Sequence, residues 1–315
     1  MAHAVLGYYA RPGVMTSAGA RAGLLAGLPP GIGAAAGVTH GVLVHEHLTA
    51  LYGFSLPEER RDSVHLRRAE RLLERIAAAD ARPLGVARPA AERLAGNCRQ
   101  FTVLAVTMLR AQGTPARARC GFGAYFTPGF FEDHWACELW DAARQRWVLA
   151  DAQLDAVQRD RFGIGFDVLD VPRDQFLTAG EAWRRFRAGQ ADPARFGLSV
   201  VGESGDWWIA GNLMRDAAAL CGLELLPWDC WGVMPGPGEP IGAGELALFD
   251  RLAGLTADPD ATLAPLRALL AEDDRVAVPP LVRNAVRGRD EPVCARSGSF
   301  GRVTRRASVT AGPGR

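Results

Sequence analysis

The feature that most constrains this chain is a helix with no face suited to water. Asn97 is a favourable N-cap, and Cys98 follows at the first helical position. Phe101, Val103, Leu104, Val106, Met108 and Leu109 then occupy most of the circumference. A helix apolar nearly all round must be buried. Gly113, with Pro115 just beyond, supplies the stop.

Three strand-like runs follow. They span Pro115–Phe126, Asp133–Trp140 and Arg146–Ala150. In the second, His134, Ala136, Glu138 and Trp140 alternate with Trp135, Cys137 and Leu139. The turn Asp141-Ala142-Ala143-Arg144-Gln145 joins the last two runs as a hairpin. A buried helix followed by antiparallel strands predicts an α+β fold, with the helix packed on the sheet and further helices flanking it.

That order brings three chemically useful side chains within reach of one another. A thiol at a helix N-terminus lies at the positive end of the helix dipole, and Arg99 adds charge beside it, so Cys98 is placed to act as a thiolate. A hairpin sets residues of neighbouring strands side by side, so His134 and Asp151 can meet. Asp151 closes the apolar run Trp147-Val148-Leu149-Ala150, and a buried carboxylate there needs a donor such as an imidazole N–H. Asp155 is the alternative orienting carboxylate. Cys120, Cys137, Cys221, Cys230 and Cys294 read as small core residues.

The pieces GNCRQFTVLAVTMLRAQGTPARA, DHWACELWD and RWVLADAQLD together resemble the transglutaminase-like superfamily. The resemblance is clear over roughly residues 85–160. It implies a papain-like core with Cys98 as nucleophile, His134 as base and Asp151 as orienting carboxylate. It implies acyl transfer on an amide or ester through a thioester, with no cofactor. The superfamily also contains proteases and deamidases that use water as acceptor, and catalytically dead binding domains. The resemblance therefore fixes chemistry better than substrate. The expected partner is a peptide, a protein or a small amide.

An acyl-transfer site also needs oxyanion donors. The first-turn N–H of Cys98 is one, because such amides are free. Gln100, Trp207, Trp228 and Trp231 are the candidates for the second. The segment Pro227-Trp228-Asp229-Cys230-Trp231-Gly232 reads either as a packed plug or as a substrate wall beside Cys98.

Composition narrows the alternatives. The net charge of +1 over 315 residues predicts no broad attraction to nucleic acid or to an anionic membrane. All 36 basic residues are Arg, so the chain offers no lysine amine through which it could cross-link itself. No apolar run approaches the roughly 20 residues that span a bilayer. The N-terminus lacks the basic start and apolar block of a signal peptide, which predicts a cytoplasmic protein with reduced cysteines. His40, His45 and His47 do not have the spacing of H-E-x-x-H, so no metal site is expected there; Val38–Leu51 reads as a partly buried helix.

The expected organisation is an irregular Gly/Ala/Pro-rich arm over residues 1–36, then a single domain over 37–286. Its catalytic core is about 85–160 and its helical extension about 175–286. A basic, disordered tail is expected over 287–315. Ser55 and Glu58 suggest a capping box opening a helix that runs to about Ala79. The stretch 156–175 reads as an acidic, solvated loop.

Overall fold

A computed structural model describes residues 2–294. The α+β fold is present, with α1 (Ala2–Tyr9), α2 (Ile32–Val42), β1 (Leu43–His45), α3 (Ala69–Ala79), β2 (Leu94–Gly96) and α4 (Cys98–Ala111) ahead of the main sheet. The sheet is built from β3 (Ala116–Thr127), β4 (Phe130–Asp141) and β5 (Arg146–Ala150). After it come α5 (Ala156–Phe162), β6 (Phe176–Thr178), α6 (Ala179–Arg187), β7 (Phe196–Leu198), β8 (Glu203–Ser204), α7 (Asp206–Leu220) and β9 (Asp229–Cys230). Helices α8 (Ala243–Ala257) and α9 (Pro259–Glu272) and strands β10 (Leu281–Asn284) and β11 (Arg289–Pro292) complete it. Among the described residues, no helix is long and apolar enough to cross a membrane.

Helix α4 starts as its sequence dictates. The Asn97 side chain accepts from the Arg99 N–H, and the Gln100 side chain accepts from the Asn97 N–H, a reciprocal cap that satisfies two otherwise orphaned donors. Residues 98–110 of the helix are all buried. Val106 and Leu109 pack on Ala116, Cys137, Leu139, Val148 and Ala150 of the three strands.

The sheet runs β6-β3-β4-β7-β8, with β5 on β4. Strands β3, β4 and β5 are antiparallel neighbours, and the β4–β5 register pairs Cys137 with Ala150. Gly121 lies opposite His134 and also pairs with Thr178. A Cβ at Gly121 would stand 2.2 Å from the Leu177 carbonyl, so only glycine lets β6 close on β3 behind the histidine.

Charge joins the sheet to α7. Arg119 of β3 makes two bonds to Asp216, of 3.0 and 2.8 Å, and a third to Glu138 at 3.1 Å. Asp216 also accepts from the Cys120 N–H. Arg117 bonds Glu138 and Asp260, tying in α9. All these groups but Asp260 are buried.

Several elements differ from expectation. The N-terminal arm contains α1, because Tyr9 is fully buried, donates to the Leu220 carbonyl and packs edge-on against Trp147. The helix expected from Ser55 to Ala79 is broken. A 3-10 segment covers Glu58–His65, and α3 begins only at Ala69. The carbonyls of Val64, Leu66 and Arg67 are taken by the side chains of Gln100 and Arg99, which holds the chain open there. The helix expected through Val38–Leu51 ends at Val42 and becomes β1, paired in parallel with β2. The loop expected over 156–175 opens with α5, capped by Asp155. The expected tail contributes β11, and its remainder lies outside the described residues.

Asp216→Ala should test the charge link between sheet and α7. Removing one partner of a buried ion pair costs about 3–5 kcal/mol. Urea denaturation should show a loss of that size; a loss below about 0.5 kcal/mol would mean that the link holds nothing.

Candidate active site

Three expected residues converge. His134 Nε2 lies 2.7 Å from Asp151 Oδ2. The Cys98 thiol lies close enough to the ring to help raise its pKa. Cys98 and His134 are nearly inaccessible, and Asp151 is wholly so.

The protein positions Asp151 from both oxygens. Tyr125 Oη donates to Oδ2 at 2.7 Å, and the Gln153 N–H donates to Oδ1 at 3.0 Å. The Asp151 N–H in turn bonds the Val168 carbonyl. Burial pushes the carboxyl upward, but the His134 charge, the His134 bond and the other two donors outweigh it and hold the group below its usual range. Around the imidazole stand Phe126, Tyr125 and Phe176, with ring centroids 4.8, 5.9 and 6.3 Å away. Burial among these rings pulls the imidazole toward neutrality. The Asp151 charge and hydrogen bond and the Cys98 contact reverse that and raise it to about 10. His134 is therefore an imidazolium at neutral pH, paired with a carboxylate and close to a thiol.

Above the thiol opens a cavity of about 400 Å³. Helix α7 contributes Trp207, Trp208 and Arg215, and the C-terminal segment contributes Trp228, Cys230 and Met234. His45 and Glu46 stand on the β1 side. Trp228 is thus part of a wall beside Cys98. Asp133, next to His134, also lines the cavity. It accepts from Trp208 Nε1 at 3.0 Å and Asn212 Nδ2 at 3.1 Å. Burial raises the Asp133 carboxyl, although Arg215 and these donors offset part of the effect.

The structure does not bear out every expected role. Gln100 uses its amide oxygen on the Asn97 N–H and its amide nitrogen on the Val64 carbonyl, so it faces the break before α3 instead of the cavity. Trp231 donates to the Val276 carbonyl at 3.1 Å and packs in the core of the C-terminal half. Trp207 lines the cavity, but its N–H is bonded to the Ser204 carbonyl. Trp228 alone of the four keeps a buried Nε1 with no partner among the described residues. Arg99 is not a free charge beside the thiol. It is fully buried and donates to the carbonyls of Glu224, Leu66 and Arg67. Asp155 caps α5 and accepts from Tyr52, so it is not engaged with His134.

Tyr125, Asp133 and Glu46 carried no sequence signal of their own. Tyr125 sits in a strand as any aromatic residue does. Glu46 is buried with its carboxyl raised to about 7 by burial, and Arg61 lies 3.6 Å away. Among the described residues, no three His, Cys, Asp or Glu side chains are grouped so as to hold a metal ion.

Residues 66–152 match the model of the transglutaminase-like superfamily. The matched stretch runs from α3 through β5, so it takes in the helix that carries Cys98 and the three strands packed on it. Two solved structures also align. One is a candidate cysteine protease from Cytophaga hutchinsonii, at 15% identity and TM-score 0.29, covering 54% of this chain and 44% of that one. The other is the transglutaminase of red sea bream, at 16% identity and TM-score 0.28, covering 40% of this chain and 22% of that one. The aligned part thus spans less than half of either solved chain. No curated protein matches the sequence.

The raised imidazole carries a pH signature. Its stability contribution is complete below the ordinary histidine value of 6.5 and is lost as pH rises toward about 10. In a Cys98→Ala background, where the thiol cannot titrate and its own contribution to the raise is gone, the Asp151 pairing remains, and urea denaturation should still show stability falling as pH rises above 6.5. The fall should be absent when His134→Gln is added. Equal pH dependence with and without His134 would contradict the assignment.

Proposed function

We propose that the protein catalyses acyl transfer from an amide or ester through a thioester on Cys98. The observation that carries this is the Cys98 thiol, which opens a buried helix, lines the cavity and lies near an imidazole fixed by Asp151. The thiolate is the nucleophilic form of a cysteine, and His134 is the group placed to exchange its proton. The thiolate attacks the carbonyl carbon, and His134 gives its proton to the leaving group. His134 then takes a proton from the second nucleophile as that attacks the thioester. Asp151 keeps the ring oriented and offsets its charge throughout.

Water as the second nucleophile gives a protease or deamidase, and an amine gives a transferase. The same site serves both, and the acceptor decides. The substrate class we infer is a peptide, a protein or a small amide, with the part beside the scissile carbonyl lodged against Trp207, Trp208 and Trp228. Because α7 and the 227–234 segment wall the cavity, residues 37–286 are proposed to work as one unit.

Intact-mass analysis after incubation with p-nitrophenyl acetate should show one acetyl group, mapped to Cys98 and released by hydroxylamine. Asp151→Asn should leave iodoacetamide labelling of Cys98 in place and slow thioester turnover by about 10⁴-fold. Acetylation of Cys230 or Cys120 in preference to Cys98 would overturn the proposal.

A further inference from the structure

Acyl transfer needs two donors where the carbonyl oxygen becomes an oxyanion. At Cys98 one is in place, since its first-turn N–H carries no bond to another described group. The second donor must approach from the same side, and β1 runs there. Strand β1 lies parallel to β2, with His45 paired to Gly96, two residues before Cys98. The Glu46 N–H continues the pairing onto the Gly96 carbonyl at 2.9 Å. The His45 backbone is thus fixed to the segment that delivers the thiol.

The His45 ring is also set up as a donor. Its Nδ1 accepts from the His47 N–H at 3.3 Å, which places the ring proton on Nε2. Nε2 makes no hydrogen bond to a described residue, and the side chain lines the cavity with Asn97 and Cys98. Burial, then the neighbouring His47 and His134, push this imidazole down to about 3, so it stays neutral while His134 is charged. His45 is thereby suited to donate a fixed hydrogen bond while His134 moves protons.

We propose that His45 is the second oxyanion donor, its Nε2–H and the Cys98 N–H together binding the carbonyl oxygen of the scissile acyl group. This rests on Cys98 being the acylated nucleophile. In the step, the S–C bond forms and the carbonyl π pair moves onto oxygen, held by both N–H groups. When that pair returns, the bond to the leaving nitrogen or oxygen breaks, and the leaving group takes its proton from His134. His45 gives up no proton at any stage. Trp228 is the competing donor, but its ring packs with Leu56, Val64, Ala95 and His65 and is not fixed by the β1–β2 pairing.

Two reactions of the same thiol separate this role from others. Iodoacetamide alkylates sulfur by displacement and forms no oxyanion, whereas p-nitrophenyl acetate must pass through one. His45→Ala should slow acetylation by about 100-fold or more and leave alkylation within about threefold. His45→Gln, with an amide N–H at similar reach, should recover at least about tenfold of the acetylation rate. Trp228→Phe should acetylate near the parental rate. The proposal is overturned if His45→Ala acetylates like the parent, if Trp228→Phe shows the selective loss instead, or if both His45 variants lose alkylation in parallel with acetylation. A parent protein that alkylates at Cys98 but forms no thioester would instead overturn the acyl-transfer reading on which this one rests.

Discussion

A carboxylate sealed from water and an imidazole 2.7 Å away form the interaction around which this structure is arranged. Neither ion is cheap to bury alone. Asp151 is tolerable because three donors meet it, from His134, Tyr125 and the Gln153 backbone. His134 is tolerable as a cation because that carboxylate meets one side of it. Each requires the other, and together they present a charged, oriented ring to Cys98.

The framework that holds the pair is largely apolar. Helix α4 is pressed onto β3, β4 and β5, and the rings of Phe126, Tyr125 and Phe176 close over the imidazole. Gly121 lets β6 approach behind it. The other side is organised by charge, with Arg117 and Arg119 bridging the sheet to α7 and α9 through Glu138, Asp216 and Asp260. That second network brings Trp207, Trp208 and Arg215 over the thiol, so the cavity depends on elements far from the core in sequence.

Much of the core was legible from local rules. Asn97 announced the start of α4, the all-round apolar pattern announced its burial, and the Asp141–Gln145 turn set the β4–β5 hairpin. What escaped were interactions that local patterns do not encode. Arg99 looked like a charge beside the thiol, yet it reaches the carbonyls of Glu224, Leu66 and Arg67, and with Gln100 it breaks the expected long helix. Trp231 looked equivalent to Trp228, but the Val276 carbonyl takes its N–H. The arm that looked irregular holds α1 because Tyr9 finds a pocket more than 200 residues away along the chain, at Leu220. His45 was weighed only as part of a histidine cluster. Its place beside Cys98 follows from a parallel β1–β2 pairing that spans some fifty residues.

Nitrogen-15 NMR of the His134 ring tests the central claim most directly. The account predicts an imidazolium signature for His134 at pH 7.5, changing to that of a neutral ring in Asp151→Asn while the fold persists. A neutral His134 in the parent protein at that pH, or a ring unchanged by Asp151→Asn, would contradict it.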